Sequence, residues 1–362
     1  MKKNRLLMPL FVLMSLVFVL SACHKAPPDG PETEATEIRA PQESSVLRLT
    51  MYTSATSGNY YPFGAALAQV VGEASNYLVI DVQTSVDPSE NIEHVAAGEA
   101  QLAMAQNDIL NYVFNSTGIW QDKPPITTMA PLMTLYPEVC QLVVGANSGL
   151  ITVEDLKGKR VAIGEDGTAL QVGAWNILAE CGLSEEDIEA LPMGFSEAAQ
   201  AMREKSIDAF FVTAGTPNKN LMDLQVDREL AIISLDEDII TALLEKYPFY
   251  TRYTLNENDY SFLSEPVDTV AVKTTLVAAN SLSAQAAYDL VKTIIENSDK
   301  VAVAHAKGMY ISAEEAVTGL PMQLHEGALR YFLEIGAITE PPQDEAPDDE
   351  AADDKTPEGE QQ

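Results

Sequence analysis

The chain has 362 residues, 46% of them hydrophobic, and its 54 acidic against 22 basic groups give a formal net charge of −32 at pH 7. Without a basic stripe it lacks the phosphate neutralisation that dominates nucleic-acid binding, so charge excludes that partner. Its four histidines, His24, His94, His305 and His325, form no metal-ligand spacing, and no Gly-x-Ser-x-Gly, His-Glu-x-x-His, phosphate-loop or Gly-x-Gly-x-x-Gly sequence occurs. Nothing in the motifs points to an enzyme, a cofactor or a metal.

Lys2, Lys3 and Arg5 precede an apolar run from Leu6 to Leu20, followed by Leu20-Ser21-Ala22-Cys23. As a helix this run reaches about 22 Å, short of the roughly 30 Å of a bilayer core, so it reads as a cleaved signal rather than a span. It resembles a bacterial lipoprotein signal, which implies cleavage after residue 22 and a lipid on Cys23; a plain secretory signal cut nearby is the other reading. Residues 23–45 carry Pro27, Pro28, Pro31 and Pro41 among acids and form a flexible tether. Residues 341–362, with nine Asp or Glu against one Lys, read as a solvated acidic tail. The remaining 295 residues, 46–340, suit two lobes.

Alternation through Leu47, Leu49 and Met51 predicts a strand, and Leu67, Val70, Val71 and Ala74 fall at helical spacing. Between them, 52–64 crowds hydroxyl and glycine residues. This is either a ligand loop, whose helix start would suit a carboxylate or phosphate oxygen, or an ordinary strand-to-helix turn. A strand over 77–84, a helix over 89–97 stopped by Gly98, and a strand over 101–105 complete βαβαβ. Ligands of such open sheets bind beyond the carboxyl ends of the strands, where Gln106, Asn107 and Asp108 fall. Asp108 is equally an N-cap for a helix over 109–114.

A second series follows: a strand over 141–144, a short helix capped by Thr152 with Asp155, a strand over 160–163, the turn Gly164-Glu165-Asp166-Gly167-Thr168, and a helix through Trp175 to Glu180. Ser184 and Ser196 read as further caps. A strand over 210–212 leads into the glycine turn Ala214-Gly215-Thr216-Pro217, and a strand over 269–278 precedes a helix over 284–296. That last strand reads as a return to the first lobe. The expected domains are therefore 46–138 with 269–340, and 139–268, joined by two hinge segments. Cys140 and Cys181 are read as two separate buried thiols, with a disulfide as the alternative that an extracytoplasmic location would permit.

Thr53 to Gly64, Gln106-Asn107-Asp108, Leu135-Tyr136-Pro137-Glu138, Asp155 to Val161, Ala214-Gly215-Thr216-Pro217 and Lys246-Tyr247-Pro248-Phe249-Tyr250 together resemble the TAXI family of solute receptors for tripartite ATP-independent transporters, over about residues 47–337. Ser54, Ala55 and Ser57 replace three family glycines, and Leu170 stands where the family's second loop has threonine. The resemblance implies an α/β, two-lobed periplasmic-binding-protein fold and no catalysis. It implies a small carboxylate or amino acid as solute (glutamate, glutamine or 2-oxoglutarate) and a tripartite membrane permease as partner. Ser57, Gly58 and Asn59 would hold a carboxylate, with Gly167 and Thr168 opposite them; Asp108 would suit an ammonium. Tyr60, Tyr136 and Tyr247 would pack on the aliphatic part, though Tyr136-Pro137 and Tyr247-Pro248 also read as element ends before proline. Gln106 and the turn Ala214, Gly215, Thr216 complete the expected site. Arg252 reads as an exposed loop arginine or a partner for a carboxylate. A two-lobed fold does not choose its permease, so a receptor for an ABC transporter or a sensor is the standing alternative.

Overall fold

A computed structural model describes residues 45–339 except 57–58 and 86–87. The signal, Cys23, the tether through residue 44, the acidic tail, Ser57 and Gly58 lie outside the described residues.

The first run is β1 (Leu47–Tyr52), α1 (Tyr60–Ala74), β2 (Leu78–Gln83), α2 (Pro88–Ala96), β3 (Leu102–Gln106) and α3 (Asn107–Asn115). β1 pairs in parallel with both β2 and β3, as a βαβαβ pattern requires. Gly98, which ends the turn after α2, has φ +77°. That is the left-handed conformation glycine adopts without penalty. The end of β1 is fixed by the Thr53 carbonyl, which accepts from Asn91 Nδ2 at 2.5 Å and Ser85 Oγ at 3.0 Å.

Next comes β4 (Met129–Gly145), 17 residues long and the first of two crossing strands. The second half adds β5 (Arg160–Ala162), α4 (Ala169–Glu180), β6 (Glu189–Leu191), α5 (Phe195–Glu204), β7 (Ala209–Ala214), α6 (Lys219–Asp227), β8 (Leu230–Ile233), α7 (Glu237–Lys246) and β9 (Thr251–Leu255). The other crossing strand is β10 (Val267–Ala279), followed by α8 (Ala284–Glu296), α9 (Ser298–Ala304) and α10 (Glu326–Glu334). All ten strands form one mixed sheet, ordered β2-β1-β3-β10-β4-β7-β5-β6, with β8 beside β4 and β9 beside β10.

The two long strands change partners at nearly the same level. β4 is antiparallel to β10 up to Val139 and antiparallel to β7 from Val139 onward. β10 leaves β9 at Ala271 and meets β3 at Thr274, opposite Gln106. The carboxyl ends of β3 and β7, Gln106 and Ala214, thus approach the crossing from opposite halves. Register shifts in β4 skip Leu135 and Leu132, so Leu132, Met133, Leu135 and Tyr136 all bury into one apolar cluster with Phe63 and Phe332. A second cluster packs α5 and α6 on the far half, and a third spans the crossing, joining Ile92 and Ile109 to Cys140, Ile163 and Phe249.

Several local expectations need correcting. The predicted strand over 141–144 is only the end of β4; Tyr136 and Pro137 lie inside it rather than ending an element. The helix expected over 109–114 begins two residues earlier, at Asn107, with Gln106 at its N-cap, although Asp108 Oδ1 still accepts the Ile109 N–H at 2.8 Å. Ser184 caps no helix but donates to Asp187 in a turn, and Ser196 sits inside α5, whose N-cap is Gly194. The Thr152 helix is a single 3-10 turn, Glu154–Leu156, with Asp155 Oδ2 accepting the Ile151 and Thr152 N–H groups. Cys140 and Cys181 are both free thiols. Among the described residues no helix is long and apolar enough to cross a membrane.

α10 seats against α8 through Gly327, where an added Cβ would stand 2.1 Å from the Ala284 carbonyl oxygen and 2.7 Å from the Tyr288 nitrogen. Backbone cannot yield as a flexible side chain can. Gly327→Ala is therefore expected to destabilise the protein by at least about 1–3 kcal/mol and lower the melting temperature by several degrees in a circular-dichroism melt; an unchanged melt would show that the helices do not meet this closely.

Candidate functional site

The centre of the crossing holds a buried carboxylate. Glu138 of β4 is 8% exposed and accepts from Tyr60 Oη at 2.7 Å, Thr274 Oγ1 at 2.5 Å and Gln106 Nε2 at 2.9 Å. These donors come from the start of α1, from β10 and from the end of β3. Burial pushes the Glu138 carboxyl up, while Thr274, Tyr60, Gln106 and the nearby Lys307 ammonium pull it back. Lys307 lies in a 3-10 segment, Ala306–Tyr310, and donates to the carbonyl of Thr216, just past the end of β7. Its own burial lowers it to about 8, opposed by Glu138 and Asp259. Gly215 leaves room for it: a Cβ there would stand 2.7 Å from Lys307 Nζ.

Beside this cluster, a cavity of about 100 Å³ is lined by Gln106, Asp108, Cys140, Thr213 and Val272 on one side and by Ala169, Leu170, Gly173 and Tyr250 on the other. A chamber of about 360 Å³ shares Gln106, Ala169 and Leu170 with it and adds Ser89, Ile109, Gly167 and Thr168. Both spaces draw walls from both halves of the sheet. Asp108 is 5% exposed and its carboxyl is raised to about 7, first by burial and further by the charge of Glu138, against the pull of the Ile109 N–H. A third cavity, about 490 Å³, lies among Thr216, Tyr253, Asp259, His305, Lys307 and Tyr310.

The structure divides the residues expected from sequence. Gln106 borders both cleft cavities, Asp108 the smaller, Gly167 and Thr168 the larger, and Thr216 the third. Thr168 is the N-cap of α4: its hydroxyl donates to the Glu165 carbonyl at 2.7 Å and accepts from the Gln171 N–H, while Gly167 N–H donates to Gln171 Oε1. Tyr60 spends its hydroxyl on Glu138. Tyr136 is buried against Phe63, with ring centroids 4.9 Å apart, and its hydroxyl has no partner among the described residues. Asn59 is exposed at the start of α1 and makes no side-chain cap. Ala214 is buried opposite Val139, and Gly215 lies under Lys307. Tyr247 packs on Phe249 and Tyr250 at the end of α7 and borders none of these three spaces. Ser54, one of the hydroxyl residues of the loop before α1, accepts the Tyr61 N–H at 3.2 Å. Arg252 forms an exposed pair with Glu237 at 2.5 Å.

Sequence reading missed Thr274, Lys307 and Thr213, took Cys140 only as a buried thiol, and quoted Glu138 and Tyr250 only within motifs. An acid inside the apolar run 129–144 was a signal for Glu138. Among the described residues no group of three or more His, Cys, Asp or Glu side chains is placed to hold a metal ion.

The architecture is a mixed α/β sheet flanked by helices and crossed by two long strands. The chain matches the NMT1-like family over residues 51–336 and belongs to it. Solved structures similar to it include the periplasmic aliphatic sulphonate binding protein of Escherichia coli, 14% identical over 72% of this chain and 74% of that one with a TM-score of 0.44. Another is described as the probable amino-acid ABC transporter extracellular-binding protein of Bacillus subtilis, 13% identical over 73% and 98% with a TM-score of 0.45. A third is the alkanesulfonate-binding protein of Xanthomonas axonopodis pv. citri bound to MOPS, 15% identical over 82% and 81% with a TM-score of 0.41. Likeness at this level says nothing of what this chain binds.

Because the Asp108 carboxyl is raised in the folded state, the folded protein holds a proton there that the unfolded chain releases, and stability falls as pH rises from about 4 to about 7. Asp108→Asn keeps an acceptor for the Ile109 N–H and removes this penalty. The variant is expected to melt higher than the parent at pH 8, by no more than about 4 kcal/mol, with the gap closing toward pH 4. A gap that stays constant with pH would contradict the assigned shift.

Proposed function

We propose that this chain is an extracytoplasmic solute-binding receptor, not an enzyme, held at the cell membrane by a lipid on Cys23. In this reading residues 46–138 with 269–340 form one lobe and 139–268 the other. They close on a small carboxylate or amino acid of the glutamate, glutamine or 2-oxoglutarate kind and hand it to a membrane permease of the ABC type. One observation carries the reading: the carboxyl ends of β3 and β7 approach the crossing of β4 and β10, beside cavities walled from both halves. Such switch points are where open α/β sheets bind ligands. Membership of the NMT1-like family supports both the receptor role and the ABC partner.

Within the cleft, Gln106 and Asp108 would face the solute from the first half, with Gly167 and Thr168 from the second. Ser57, Gly58 and Asn59 would hold its carboxylate. Tyr60 and Tyr136 support the floor through and beside Glu138. Ala214, Gly215 and Thr216 set the position of Lys307. The six motifs that resemble the TAXI family favour a second reading of the partner, an ion-driven tripartite permease.

A thermal-shift screen of the purified protein against amino acids, dicarboxylates and 2-oxo acids is expected to find a solute that adds roughly 2.7 kcal/mol at about a hundred times its dissociation constant. Gly173→Leu, which fills the smaller cavity from a helix that tolerates leucine, should abolish the response. No shift with any member would remove the small-carboxylate assignment. In membrane vesicles loaded with receptor and its permease, uptake should stop when ATP is withdrawn; uptake that persists on an ion gradient alone would select the tripartite partner.

A further inference from the structure

The cavity beside Asp108 has a chemistry that narrows the solute. Its one wall carboxyl is Asp108, and no Lys, Arg or His lines it. Asp108 Oδ1 is taken by the Ile109 N–H, and among the described residues no side chain donates to Oδ2. The Lys307 charge is not among those that shift Asp108; the one carboxylate that does, Glu138, is negative as well. The remaining polar wall is Gln106, whose amide is given to Glu138, and Thr213, whose hydroxyl donates to Cys140 Sγ at 3.6 Å. A buried acid with no cation beside it gives up its charge by holding its proton, and a cation entering the space it borders would restore that charge. About 100 Å³ is room for about three water-sized groups. An ammonium and its adjoining carbon fit there, and the larger chamber beyond Gln106 and Leu170 takes the rest of the molecule.

We infer that this cavity is an ammonium subsite with Asp108 as its counter-ion, so that the solute is a primary amine and amine-free sulfonates and dicarboxylates are rejected. The inference rests on the receptor role and selects within the solute class given there. A like-charged dianion entering between Asp108 and Glu138 would meet repulsion in a region of low dielectric, with only Lys307 to offset it. The groups facing Asp108 are Glu138 and Cys140 of β4, Tyr112 of α3 and Tyr250 after α7. Burial raises Cys140 to about 12 and lifts both tyrosines further, so Glu138, itself raised by burial, is the one other carboxyl among them. An incoming ammonium favours ionised Asp108, so at pH 6 binding should release about one proton and at pH 9 none.

The test uses matched pairs that differ in the amine: L-glutamate and 2-oxoglutarate, L-alanine and L-lactate, taurine and isethionate. Titration calorimetry of the full protein in two buffers of different ionisation enthalpy reads affinity and proton release together. The expected result is that at least one amine binds, its partner binds about a hundredfold weaker or not at all, and Asp108→Asn loses at least tenfold affinity and the released proton. Equal affinity within a pair, or unchanged amine affinity in Asp108→Asn, overturns the subsite and leaves the receptor role standing. Proton release that persists in Asp108→Asn belongs to Glu138 and overturns it too, as does a response to ammonium chloride alone equal to that of the amines. Silence from all six compounds removes the receptor reading for this solute class, and the subsite with it.

Discussion

The Glu138 carboxylate is the constraint on which the rest of the crossing depends. Moving such an ion out of water carries a penalty of several kcal/mol. Each hydrogen bond to a charged group returns about 1.5–3 kcal/mol, so the three from Tyr60, Thr274 and Gln106, with Lys307 nearby, offset much of that penalty, though burial still leaves the carboxyl raised. Those donors begin α1, end β3 and lie midway along β10. One side chain thereby fixes the relative positions of three elements that each contribute to the cleft. It also sets the electrostatics of the neighbouring cavity, because its charge and that of Asp108 have the same sign.

The crossing strands explain how two halves share one sheet and still offer a cleft. β4 and β10 are continuous, yet each exchanges partners near Val139 and Ala271. On either side of that level, parallel strands run inward and end, leaving their loops and helix starts to face one another. A chain built this way has backbone continuity through the crossing, while contacts between the halves beside it include side-chain bonds such as Asn107 Nδ2 to the Phe249 carbonyl and Lys307 Nζ to the Thr216 carbonyl. Contacts of that second kind can be exchanged for contacts to a solute.

Much of this order was legible in sequence, and the exceptions have physical causes. The βαβαβ run was readable because each element is short and alternates locally: 47–52, 60–74 and 78–83 fall where periodicity puts them. β4 was not, because it is buried on both faces and carries Pro131, Pro137 and Glu138, which interrupt an apolar run as a loop would. Gln106 was found as a polar residue directly after an apolar strand. Lys307 could not be, since its contact with Thr216 spans 91 positions and depends on how the segment after β10 folds back against the end of β7. Ser54 shows the opposite limit: its hydroxyl was recognised, but its use by the helix it precedes is a matter of local geometry that composition does not reveal.

The central claim is that one solute is gripped by both halves at the crossing. Hydrogen–deuterium exchange with and without saturating L-glutamate, or whichever amine binds, tests it most directly. Amides over 106–110, at the end of β3, and over 167–173, at the start of α4, should slow together in the same sample. Slowing confined to one of these segments, or to neither while the solute is bound, would contradict it.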